Sequence, residues 1–222
     1  MGWFGGRDKL KTAEERKRQS MLRLRSLGIP VIDHLPVIEE ESEVRIRTAQ
    51  EIAARILVLA HLNLVAEVPK ERAEVVKFLK ETGLWRTASP QEQDQFGRKL
   101  AKQEAIDISW RTECIWVMLW AIGKFPSIEL PTKEVQVDEV IEFIPELTSD
   151  PTDFVRIAKL RPVSEVLDFA DLTYRLHWAA RQEDLDGQQR TPLILSAVRE
   201  QHYAFNWITY YADEWDEVTT DT

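Results

Sequence analysis

Cys114-Ile115-Trp116-Val117-Met118-Leu119-Trp120-Ala121-Ile122 is a run of nine apolar residues with no polar face, and Gly123 closes it. A helix that is apolar all round is one surrounded by other helices, so this stretch marks the centre of a core. Just before it, Ser109-Trp110-Arg111-Thr112-Glu113 puts Arg111 and Glu113 in the first turn, where a Glu complements the positive end of the helix dipole. The central helix is expected over 109–123.

Helix punctuation continues on both sides of this run, and strand signals are nearly absent. A first helix over 13–27 carries Met21, Leu22, Leu24 and Leu27 and stops at Gly28, which enters the left-handed region without a Cβ clash. Residues 29–36, with Pro30 and Pro36, read as an extended connector. Thr48 with Glu51, and Ser89 with Glu92, are capping boxes, in which each side chain satisfies a free backbone N–H of the other residue. The first opens a helix with Ile52, Ile56, Leu59 and Asn63 on one face; the second opens a polar helix anchored by Phe96 and Leu100. Between them Pro69 starts a helix that turns Val75, Val76 and Leu79 inward and ends at Gly83.

Beyond the central run, prolines break residues 124–131, and a short helix over 137–144 is cut by Pro145. If the chain divides, it divides near 124–136. Asp150-Pro151 opens a helix to about 159, Arg161-Pro162 breaks it, and a long helix over 163–186 follows, ended by Gly187. Thr191-Pro192 caps the last helix, over 193–212, with Ile194, Val198, Phe205 and Ile208 spaced for burial. The expected fold is all-α: one domain of eight or nine helices over 13–222, behind a flexible basic N-terminus at 1–12.

The composition is that of a globular chain, with 44% hydrophobic and 30% charged residues in 222. A net charge of −9 disfavours nucleic acid, whose phosphates need a positive surface. The excess is uneven: residues 1–25 hold eight Lys or Arg against three Asp or Glu, a net of +5, so the remainder carries −14. With Trp3 and Phe4, that opening is a handle for an anionic membrane or an acidic partner, but a frayed terminus running into a solvated helix explains it more simply. Gly6 stands where the myristoylation pattern requires Ser or Thr. No apolar stretch is read as approaching the roughly 18 residues of a spanning helix. Cys114 is the only cysteine, which excludes an intrachain disulfide and a cysteine-based zinc site and fits a reducing cytoplasm.

The long helix carries the most unusual pattern. Leu167, Asp171, Tyr174, Trp178, Arg181 and Leu185 form one stripe, so a carboxylate and a guanidinium lie on a face that should be apolar. Asp171 and Arg175 are i,i+4 partners, as are His177 and Arg181. Burying such charges costs several kcal/mol per ion unless they are paired and hydrogen-bonded. Two readings follow: Asp171, Tyr174, Arg175 and His177 line a pocket for a polar or anionic ligand, or they lock the helix to Arg111, Glu113 or Glu200 in a satisfied network. The second is preferred.

Other chemistry finds little support. Glu200, His202 and Asn206 share the last helix, but Glu200 and His202 differ by two positions and point apart, so no metal site is expected there. Cys114 sits in the apolar run, where a thiol is inert. No G-x-S-x-G elbow and no phosphate-binding glycine loop occurs. The Trp residues at 110, 116, 120, 178 and 207 read as core fillers.

The chain resembles the bacterial domain-of-unknown-function family DUF4272 over about 18–222. The resemblance rests on Gly28-Ile29-Pro30-Val31, Leu35-Pro36, Arg47 with Glu51 and Arg55, Gly83-Leu84-Trp85, Ser89-Pro90 with Glu92, and Trp110-Arg111 with Glu113. It continues through Leu160-Arg161-Pro162, the block from Asp171 to Arg181, then Glu200, His202, Asn206-Trp207 and Trp215-Asp216. Gln201 departs from it, standing where a basic residue is expected. The resemblance implies a single helical domain and no activity or cofactor. The functional expectation is a non-enzymatic interaction or regulatory protein with a protein partner. The alternatives are a binder of a small polar or anionic ligand, or an unfamiliar enzyme, using Trp110, Arg111, Glu113, Asp171, Tyr174, Arg175, His177, Trp178, Arg181, Glu200, His202 and Asn206, and, last, peripheral membrane association through the N-terminus. Oligomeric state is left open.

Overall fold

Helix α1 (Ala13–Ser26) opens on a capping box: the Thr12 hydroxyl accepts from the Glu15 N–H at 3.1 Å, and the Glu15 carboxylate accepts from the Thr12 N–H at 2.9 Å. At its other end Gly28 adopts φ 72° and the Ile29 N–H returns to the Leu24 carbonyl, the left-handed stop expected from sequence. The computed structural model describes residues 10–222. Trp3, Phe4 and most of the expected basic N-terminus lie outside the described residues.

Helix α2 (Ala49–Glu67) starts at the Thr48/Glu51 box and buries Ile52, Ile56, Val58, Leu59, Leu62 and Val65. By length and composition it is apolar enough to cross a bilayer, which corrects the reading that no stretch approaches that length; here 67% of that window is buried within the fold. A single 3-10 turn (Pro69–Glu71) leads into α3 (Arg72–Glu81), and the Ser89/Glu92 box opens α4 (Pro90–Gly97).

Helix α5 (Lys102–Ser109) has no counterpart in the sequence reading. The Glu104 carboxylate caps it by accepting from the Ala101 N–H at 2.7 Å. The central apolar helix, α6 (Arg111–Ala121), therefore begins at 111 and not 109. Thr112 supplies the reason: its hydroxyl takes the Ser109 carbonyl at 2.8 Å, and the Glu113 N–H turns to the Trp110 carbonyl instead of continuing the ladder.

Two five-residue helices, α7 (Val137–Ile141) and α8 (Thr152–Arg156), are shorter than expected, and α9 (Val163–Leu185) and α10 (Leu195–Ile208) complete the chain. Thr191 does not cap α10, as the sequence suggested; its N–H and hydroxyl both donate to Glu183. The Ile194 N–H is drawn to the Pro131 carbonyl at 2.9 Å, which holds the chain extended until Leu195. The far end stops at Thr209 because Tyr210 turns left-handed, φ 56°, and the Tyr211 N–H closes on the Asn206 carbonyl.

No strand occurs among the described residues, and the fold is all-α. Helix α6 packs between α2 and α10, α10 against α9, and α9 against α1, with α3, α4, α5 and α8 on α2 and α7 on α6. The centre is thus shared by α2 and α6. Trp120, 1% exposed, packs against Phe169 and Phe205. Residues 124–136 make no division: the Val135 N–H donates to Glu113 and the Pro131 carbonyl holds Ile194, so the chain forms one domain.

Candidate functional site

Asp171 and Arg175 lie one turn apart on α9, and both are buried, at 0% and 1% exposure. Arg175 Nε donates to Asp171 Oδ2 at 3.0 Å and Nη2 to Oδ1 at 2.7 Å, a forked pair. Nη2 also donates to the Pro36 carbonyl at 3.0 Å, which pins the connector between α1 and α2 onto α9. Only Nη1 is left without a partner. This guanidinium is spent on the fold.

Across from this pair, His177 and His202 bring α9 and α10 together. Their Nδ1 atoms are 3.0 Å apart, and the rings are 2% and 4% exposed. One imidazole must donate and the other accept, so the bond requires at least one to be neutral. Burial lowers the pKa of His177 to about 4, helped by the positive charges of Arg181 and Arg199, and that of His202 to about 3, helped by His177. The pair is neutral at pH 7. Arg181 is exposed and touches His177 only through its field; the expected His177/Arg181 partnership is not a contact.

Beside the pair opens a cleft of about 260 Å³ between α9, α10, the connector and the C-terminal segment. Tyr174, His202 and Asn206 line it, together with Glu39 and Asp221. The Tyr174 ring stacks obliquely on His202, 5.4 Å between centroids, and its hydroxyl makes no hydrogen bond among the described residues. Asn206 donates to the Thr219 carbonyl at 2.8 Å, which fixes its amide. Among the described residues no Lys or Arg lines the cleft.

The remaining candidates stand elsewhere. Arg111, at the start of α6, donates to Glu200 at 2.8 Å; Glu200 also accepts from the Cys114 thiol through its carbonyl at 3.1 Å. Burial is the largest influence on the Arg111 cation and opposes it, but Glu200, Cys114 and Tyr203 together outweigh it and hold the pKa above the ordinary value. Burial pushes the Cys114 thiol well up, as an inert thiol requires. Glu113 accepts from the Val135 N–H at 2.8 Å and from Gln201 at 2.9 Å, with no cation; burial raises its pKa. Trp110 sits half-buried at the junction of α5 and α6, and Trp178 is half-buried on α9. The expected link from Asp171 and Arg175 to Arg111, Glu113 or Glu200 does not form; they belong to two separate networks. Among the described residues no three His, Cys, Asp or Glu converge as a metal site demands.

Sequence reasoning missed a ladder of stacked arginines and rings. Arg47 lies over Trp207 and Tyr210, Arg55 over Trp207 and Trp215, and Arg111 over Tyr203 and Trp215, all within 5.4 Å of a ring centroid. Arg47 also donates to the carbonyls of Trp207, Ala212 and Asp213, so the C-terminal segment is held on α2 and α10. Tyr203 and Trp207 are one turn apart on α10, but nothing in the spacing links them to the arginines or to Trp215. It also missed Glu39 and Asp221, which are ordinary surface carboxylates by pattern.

The profile of the family described as Domain of unknown function (DUF4272) matches residues 16–218. No curated protein and no solved structure matches the chain.

Proposed function

The chain belongs to the DUF4272 family, and on that premise we propose that it is a non-enzymatic binding protein, regulatory in kind, that takes a small hydrogen-bonding molecule, neutral or cationic, in the cleft between α9 and α10. The observation that carries this reading is the Tyr174 hydroxyl, unpaired among the described residues at the wall of an open cleft, beside His202 and Asn206, which are fixed in place. Pre-set polar groups in a concave site are what orient a small ligand. At about 260 Å³ the cleft is below the roughly 300–1,000 Å³ of drug-sized sites, so the ligand is small.

Charge decides its class. With Glu39 and Asp221 on the wall and no basic side chain there among the described residues, the wall disfavours an anion, so the anionic alternative loses its support. Acid–base catalysis is disfavoured as well. A general base works best with a pKa near the operating pH, and His202 at about 3 is far below it.

The test is a thermal-shift screen of neutral and cationic polar metabolites against the wild type and Tyr174→Phe. A ligand that binds only the folded chain raises stability by mass action, by about 2.7 kcal/mol at a hundred times Kd. Tyr174→Phe removes one hydroxyl that holds nothing in the protein, so it should fold as the wild type and respond less. A compound that stabilises both chains equally would place its site elsewhere.

A further inference from the structure

Glu183 is 4% exposed near the end of α9, and its two oxygens are used unequally. Oε2 accepts three hydrogen bonds, from the Arg190 N–H at 3.2 Å, the Thr191 N–H at 3.1 Å and the Thr191 hydroxyl at 3.0 Å. Oε1 is buried and accepts none. A buried carboxylate oxygen without a donor has given up its hydration with nothing in exchange. Glu183 also lines a second cleft, about 430 Å³, between the end of α9 and the segment that leads into α10.

The surroundings of that oxygen favour a cation. Asp184 adds a second carboxylate to the wall, exposed and without a hydrogen bond of its own. The C-terminal end of α9 contributes the negative pole of the helix dipole. Its last carbonyls are already closed by a left-handed turn, Gly187 at φ 64° with the Gln188 N–H on the Glu183 carbonyl at 3.0 Å, so the carboxylates are the free acceptors. Arg190, the nearby guanidinium, is taken by Asp186 at 3.2 Å and by the Gln188 side-chain oxygen at 3.1 Å. Ala180, Leu193, Ile194 and Leu195 make the rest of the wall apolar, suited to a methylene stem.

We propose that the cleft at the C-terminal end of α9 is a binding site for an alkylammonium group, with Glu183 Oε1 as its buried acceptor and Asp184 as its outer counter-charge. The group is carried by a free aliphatic amine or by the tip of a lysine side chain. This site is separate from the cleft at Tyr174 and stands without it.

The test is isothermal titration of the full chain with 1,5-diaminopentane and, in a second arm, with an Nα-acetyl-lysine amide. Saturable one-to-one binding of either probe is expected. A preference for the diamine assigns the free amine, and a preference for the lysine amide assigns the side chain. Glu183→Gln keeps an oxygen for Arg190 and Thr191 and puts an NH2 where Oε1 stood, so it should bind about tenfold or more weakly, the loss expected for one charge-assisted hydrogen bond. Asp184→Asn, at an exposed unbonded side chain, should fold normally and bind a few fold more weakly, and it carries the test if Glu183→Gln does not fold. No binding of either probe by the wild type, or equal affinity in wild type and variants, overturns the proposal. So does an amine whose affinity falls with Tyr174→Phe and not with Glu183→Gln, since it occupies the other cleft.

Discussion

His177 and His202 face each other across α9 and α10 with their Nδ1 atoms 3.0 Å apart, and that single bond ties the long helix to the last one inside the core. It exists only while at least one ring is uncharged. A buried hydrogen bond of this kind makes the packing of two helices depend on pH.

The sign follows from the shifts. Both folded-state values, about 4 and about 3, lie below the 6.5 of an ordinary His, so the unfolded chain binds more protons between those limits. The stability contributed by the neutral pair is present above pH 6.5 and is lost as pH falls through the folded values. Urea unfolding at steps from pH 7 to pH 4 should show this loss, and His202→Asn should flatten it. An unchanged slope in His202→Asn would assign the acid sensitivity to other groups.

Asp171→Ala should destabilise the fold by about 3–5 kcal/mol, because it leaves the Arg175 guanidinium, 1% exposed, without its counter-charge. Replacing the pair together, Asp171→Leu with Arg175→Met, should recover much of that loss, since two apolar side chains need no partner. Denaturant midpoints of the three chains decide the matter. A double variant as unstable as the single one would mean that the bond from Arg175 to the Pro36 carbonyl is the larger contribution.

The fold was legible where local chemistry announces it. Thr48/Glu51, Ser89/Glu92, Gly28 and Gly83 are signals in which one or two residues determine the backbone, and the structure has each of them. Helix α5 was missed because its cap is Glu104 reaching back to the N–H of Ala101, a residue with no side-chain signal of its own. Thr191 misled because a distant carboxylate, Glu183, competes for the groups that would have capped α10. The candidate site was legible only as a list of polar residues. Spacing on α9 puts Asp171 beside Arg175, but it cannot say that Arg111, Glu200 and Cys114 form a separate network or that Tyr174 meets His202 and Asn206 at an open cleft. Those divisions depend on how α6, α9 and α10 pack.

Trp215 is 2% exposed, stacked between Arg55 and Arg111 and edge-on to Tyr203 and Trp207. Its removal opens a cavity and takes away the ring that Arg55 and Arg111 share, so Trp215→Ala should cost about 3–5 kcal/mol. Hydrogen exchange should then accelerate first in residues 209–222, which Arg47 and this stack hold down. Uniform acceleration across α2 and α10 would show instead that the segment unfolds only with the whole domain.

Glu113 offers the opposite pH limb. Its carboxyl is buried, accepts from Gln201 and the Val135 N–H, and has no cation among the described residues, so burial raises its pKa above that of an ordinary Glu. A carboxyl whose folded value is raised contributes stability that is full below its unfolded value and lost as pH rises through the folded one. The Gln201 Nε2 is 2.9 Å from Glu113 Oε2. A lysine there would bring an ammonium to the carboxylate, lower its pKa, and remove the reason for that loss. Gln201→Lys should therefore flatten the fall in stability on the alkaline side of the Glu113 titration while leaving the acid limb of the His177/His202 pair in place. Because burying a lysine has its own cost, the slope against pH is the readout, and the absolute stability is not. If Gln201→Lys keeps the wild-type slope, the ammonium has turned away from Glu113 and the carboxyl stays as it is in this chain.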